Sequence, residues 1–208
     1  MFKKSLLVLS LMALSGTVLS APPVANLRVI GSITPPTCTL NGQEEETYTY
    51  DFDISPGIFP PSGNLTLTPQ SQNIEVICDA ATYLTFTSAD ERAGSELTTG
   101  VNNFGLGTYD TDTNVGFYTV RMENATVKAN AEATATNVGV LSGSSYAVTG
   151  LVNKTQLSGW ATSASQLAAG QIFAADFAVT PTINSVMKNS TGDAELDGFA
   201  ILTFAFGI

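Results

Sequence analysis

Apolar and polar residues alternate singly along much of this chain, a period of two that suits a half-buried strand and not an amphipathic helix. Leu27, Val29, Gly31 and Ile33 set the pattern, Ile74, Val76 and Cys78 repeat it, and Tyr83, Thr85 and Thr87 stand against Leu84 and Phe86. Further strand candidates are Thr47–Phe52, Val115–Met122, Tyr146–Leu151, Ile172–Thr180 and Phe199–Ile208. Thr, Val, Phe and Tyr dominate these segments, and clusters of Gly, Asn, Asp, Ser and Pro separate them. The only helix-like stretches, Ala125–Thr136 and Gln166–Gly170, lack an apolar stripe with caps and read as loops or short strands. The pattern predicts an all-β chain folded as an antiparallel sandwich.

The first twenty residues start with Lys3 and Lys4, continue through an apolar run from Leu6 to Leu14, and exit through small residues from Gly16 to Ala21. That is the layout of a secretory signal, with cleavage expected after Ser20. The run is too short for a membrane helix, which needs roughly 20 apolar residues. No later segment is longer, so no membrane span is expected. In an exported chain the two cysteines, Cys38 and Cys78, are expected to form a disulfide. A redox or metal-binding pair fits their spacing poorly. With a disulfide and turn signals at this density, the sandwich is expected to be of immunoglobulin-like type.

The whole chain has eight Lys and Arg against eighteen Asp and Glu, and loses two of those eight with the signal. Nucleic acid and anionic lipid are therefore not expected partners. Histidine is absent. With it go the commonest general base, the Ser/His and Cys/His nucleophile pairs, and the commonest zinc ligand. No carboxylate pair stands out as catalytic either. No enzyme, cofactor or metal site is expected.

The run from Asn26 to Cys38, Asn-Leu-Arg-Val-Ile-Gly-Ser-Ile-Thr-Pro-Pro-Thr-Cys, resembles the amino terminus of chaperone–usher fimbrial (pilin-like) subunits. Gly31 lies seven residues before the first cysteine, as in that family. Cys78 follows Asn73-Ile-Glu-Val-Ile as the family's second cysteine follows a core strand, and the run from Gly198 to Ile208 resembles its last strand. The resemblance covers both ends and the cysteine framework and is weak across residues 90–170. Phe104-Gly-Leu-Gly and Leu196-Asp-Gly are similar to a fimbria-related exported family of unassigned function. Related pilins usually place a tyrosine next to last, where this chain has Gly207.

The resemblance implies a sandwich that lacks its last strand, leaving an apolar groove beside the carboxy-terminal strand. A periplasmic chaperone would fill the groove first, and the amino-terminal segment of a neighbouring subunit would replace it at an outer-membrane usher. Leu27, Val29 and Ile33 would be the pocket-filling residues of the donor strand, with Gly31 where the groove is shallow. Leu202, Phe204, Phe206 and Ile208 would form the groove and chaperone-binding strand. The implied plan is a signal over 1–20, a donor segment over 21–37 and a pilin-like domain over 38–208. The implied destination is the periplasm and then the cell surface. The bland alternative for Leu27–Ile33 is the ordinary first strand of a complete domain. The alternative function is a tip adhesin whose loops recognise host glycan or protein.

Other features resemble sites only in part. Asp110-Thr-Asp112-Thr-Asn114 begins like a calcium loop, but Val115 stands where the turn needs glycine and Arg121 where the bidentate glutamate belongs. A polar hairpin is expected there. Glu44, Glu45 and Glu46 read as a solvated run and Trp160 as a packing residue. The Asn-x-Ser/Thr sequons at Asn64, Asn124, Asn153 and Asn189 read as chance in a chain rich in Asn and Thr.

Overall fold

The computed structural model describes residues 23–190 and 194–206. The expected signal over 1–20 and the expected groove residue Ile208 lie outside the described residues. The chain divides into two compact units, Met1–Thr34 and Pro35–Ile208. In the first, residues 23–34 carry no strand or helix and every side chain is exposed.

The second unit is all-β. Its strands of three or more described residues are β1 (Cys38–Leu40), β2 (Gln70–Asp90), β3 (Gly116–Lys128), β4 (Gly139–Ser142), β5 (Ser145–Ala147), β6 (Ser158–Ser163), β7 (Ala169–Ile183) and β8 (Ala200–Phe206). Every ladder between named strands is antiparallel, and short 3₁₀ turns occur at Pro56–Ile58 and Ser185–Asn189. One sheet runs β1–β2–β7–β3, using the first half of β2, and the other runs β5–β4–β6–β2–β8, using the second half.

The two predicted segments Ile74–Cys78 and Tyr83–Thr87 are thus one strand that changes sheet partway along. The change falls where the ladder with β7 breaks: Ile77 faces Ile172 and Thr82 faces Gly170, so Cys78 to Ala81 stand against Gln171 alone. Extra residues on one strand bend it and increase its twist, which is how a strand turns a sandwich corner. Gly170 allows the close approach there, since a Cβ would lie 2.3 Å from Val127 Cγ1.

Side chains from both sheets interlock at the centre. Phe86 of β2 meets Phe177 of β7 edge-on at 5.7 Å, and Trp160 of β6 meets Phe173 of β7 at 5.7 Å. Trp160 is fully buried and its Nε1–H donates across the sandwich to the Ala174 carbonyl at 2.9 Å. The packing reading of this residue holds. The expected polar hairpin also forms, with Thr108–Tyr109 paired to Thr113–Asn114.

Cys38 and Cys78 are joined in a disulfide, as expected. They face each other across β1 and β2, and the Asp79 N–H bond to the Thr37 carbonyl makes them a non-hydrogen-bonded pair. In such pairs the chains approach most closely, and the Cα separation here is 4.0 Å.

Two strand expectations need correction. Tyr146–Leu151 is broken into β5 and a two-residue ladder at Gly150–Leu151, with Val148 exposed between them. Thr47–Phe52 forms no strand. Its alternation is present, since Tyr48, Tyr50 and Phe52 are half-buried and the residues between them exposed, but it has no ladder partner among the described residues.

Candidate functional site: the groove beside the last strand

The chain reverses after β1 through Asn41 and Gly42, both at positive φ, with paired bonds between Leu40 and Gln43. Beyond this turn, residues 47–54 run extended beside the first half of β2. The side-chain amides of Gln72 and Gln70 donate to the carbonyls of Thr49 and Asp51, standing in for a main-chain ladder. Backbone groups alternate in direction along an extended chain, so those of Tyr48, Tyr50 and Phe52 face the opposite edge.

The tyrosines are tied down by their hydroxyls. Tyr50 donates to the Phe177 carbonyl at 2.8 Å, and burial, with the Asp176 charge, pushes its phenol up to about 12. Tyr48 donates to Glu46 Oε2 at 2.9 Å and accepts from Asn41 Nδ2. Burial and the Glu46 carboxylate raise its pKa as well. Both phenols therefore stay protonated donors.

On the facing side lies β8. It pairs with the second half of β2 from Ala200 opposite Asp90 to Phe206 opposite Leu84, and has no second neighbour among the described residues. The Glu91 N–H donates to the Phe199 carbonyl at 2.9 Å, and Thr85 Oγ1 donates to the Ala205 carbonyl at 3.3 Å. Odd-numbered residues of β8 thus turn their backbone groups toward β2. The N–H and C=O groups of Ala200, Leu202, Phe204 and Phe206 face the free edge.

The same even-numbered side chains point inward. Leu202 and Phe204 are half-buried against the core, and the Phe204 ring lies 5.5 Å from Phe86. Phe206, at 38% exposure, is the least covered of the three. Ile201, Thr203 and Ala205 are exposed as well.

Between β8 and residues 47–54 lies a groove of about 1150 Å³. Its floor is the sandwich interior itself, including Val76, Leu84, Phe177 and Ile183. An open strand edge is an aggregation hazard that natural sheets cover. The expected donor residues belong to the first unit, where Leu27 and Val29 are each 96% exposed. A Cβ built on Gly31 meets nothing within 4 Å, and its φ is not positive. Among the described residues nothing requires glycine at that position.

A buried ionic cluster went unseen in the sequence. Lys154 Nζ lies 3.1 Å from Asp90 Oδ2, contacts Glu96 Oε1, and sits 5.6 Å above the Phe104 ring. The carboxylates are 2% and 7% exposed. Main-chain N–H groups of Arg92 and Gly105 donate to Asp90, and that of Gly94 donates to Glu96. Burial works against the charge on Glu96, but the bonds from Lys154 and Gly94 hold it below the usual carboxylate range. Burial likewise disfavours the Lys154 charge, and the two carboxylates raise it above the usual lysine value. The one available signal was scarcity, because lysine and arginine are few in this chain. Both carboxylates are bonded within the chain, which ties the loop over 91–106 to the sandwich.

No protein-family model and no curated protein matches this chain. No helix among the described residues is long and apolar enough to cross a membrane.

Proposed function

We propose that this chain is a structural, non-enzymatic subunit of a bacterial surface fimbria, assembled by strand exchange between subunits and contributing to cell adhesion. The observation that carries this reading is the groove between β8 and residues 47–54, bordered on both sides by main-chain edges that are unpaired among the described residues. A groove so bordered suits one extended chain, which gains hydrogen bonds to either wall while alternate side chains enter the floor.

The exposed segment Leu27–Ile33 has the matching form. Burying Leu27, Val29 and Ile33 at roughly 1.5–3 kcal/mol each offers on the order of 5–9 kcal/mol before the segment is ordered. In this reading residues 1–20 are the export signal, 21–37 the donor segment and 38–208 the domain that accepts a donor. A periplasmic chaperone covers the groove until an outer-membrane usher exchanges it for the donor of a neighbouring subunit.

Export of the full chain with and without a chaperone–usher pair tests the proposal. Soluble oxidised protein should accumulate only beside the chaperone, and polymers only with both. Equal yields of soluble monomer in the two backgrounds would mean the domain needs no added strand.

A further inference from the structure

We propose that the donor this groove accepts comes from a second copy of this same chain, selected by a charge match on the outer face. Arg28 of the incoming segment pairs with Asp51 and Asp53 of the receiving copy. The inference rests on the strand-exchange reading and adds the identity of the partner.

Arg28 is the only charged side chain between residues 21 and 37, in a chain where acids outnumber bases eighteen to eight. When Leu27, Val29, Gly31 and Ile33 turn into a groove, the alternation of a strand turns Arg28 and Ile30 outward. The outer face of the receiving groove is just as defined. Its wall over 47–54 presents Asp51 and Asp53 as exposed residues, and neither carboxylate meets a cation among the described residues. Its β8 wall presents Ile201, at 43% exposure.

An incoming strand therefore brings one cation and one exposed aliphatic to a face that offers unpaired carboxylates on one side and an exposed aliphatic on the other. Residues directly opposite on one face of a sheet have Cβ atoms about 4.5–5.5 Å apart, and diagonal neighbours stay within reach of a long side chain. A donor carrying an acid at the Arg28 position would set like charges together and be rejected. Self-recognition of this kind builds a polymer of one subunit, in which every copy both donates and receives.

The test is charge reversal in the full chain, exported with its chaperone and usher and sized by sedimentation. Arg28→Glu should reduce assembled material about 5-fold or more, from loss of an attraction and gain of a repulsion. It should leave the yield and the unfolding curve of the chaperone-bound chain unchanged, because Arg28 is exposed. Adding Asp51→Arg and Asp53→Arg to the same chain should restore assembly. Undiminished assembly of Arg28→Glu, or a loss that the aspartate reversals do not restore, overturns the self-recognition proposal. A chain lacking residues 23–34 that assembles as the parent does would instead overturn the strand-exchange reading beneath it.

Discussion

Replacing Lys154 by Met is expected to lower the unfolding free energy by about 3–5 kcal/mol at neutral pH, because it strands two buried carboxylates without their cation. The Lys154 ammonium sits over Phe104, and methionine keeps much of the stem's volume, so the loss comes from the charge. The effect should depend on pH in a defined way. Glu96 is held below its ordinary value, so its contribution is complete above the unfolded value of about 4.3 and disappears as pH falls through the folded one. Lys154 is held above its ordinary value, so its contribution is complete below about 10.4 and disappears as pH rises through the folded one. The gap between parent and variant should thus be widest between about pH 5 and pH 10. Urea unfolding of both chains at pH 3 and pH 7 measures it. A gap no smaller at pH 3 would mean the lysine acts by packing and not by charge.

Gly31→Leu should abolish or sharply reduce polymerisation while leaving the domain folded. Among the described residues nothing lies within 4 Å of a Cβ at Gly31, so leucine there meets no clash. In a shallow part of a neighbour's groove the same side chain is overpacked, at roughly 1–3 kcal/mol or more. Every 1.4 kcal/mol is tenfold in an association constant, so the assembled fraction should fall by about an order of magnitude or further. Circular dichroism and unfolding curves of the chaperone-bound variant should match those of the parent. Normal polymer yield from Gly31→Leu would remove the donor assignment.

What the sequence made legible was local. A period of two located β7 and β8 and the inward phase of Leu202 and Phe204, because one strand with one buried face writes its own pattern. The disulfide was legible because two cysteines in a chain whose start reads as a secretory signal leave few alternatives. Residues 47–54 show the limit. Their alternation is that of a strand, yet pairing is a property of two segments, and the side chains of Gln70 and Gln72 stand where a ladder was expected. The single long β2 was read as two strands because its corner at Cys78–Ala81 interrupts the alternation. The Lys154 cluster was invisible because Asp90, Glu96 and Lys154 come from separate places in the sequence. Topology alone brings them together and strips them of water.

The central claim is that the free edge of β8 is left for another molecule's strand. Hydrogen exchange of the Leu202, Phe204 and Phe206 amides reads that edge directly, since their N–H groups face away from β2. In the full chain refolded without chaperone and held dilute and monomeric these three should exchange quickly, while those of Ile201, Thr203 and Ala205 are protected by β2. In assembled material all six should be protected, together with amides between Leu27 and Ile33. Protection of Leu202, Phe204 and Phe206 in the monomer equal to that in the assembly would contradict the account.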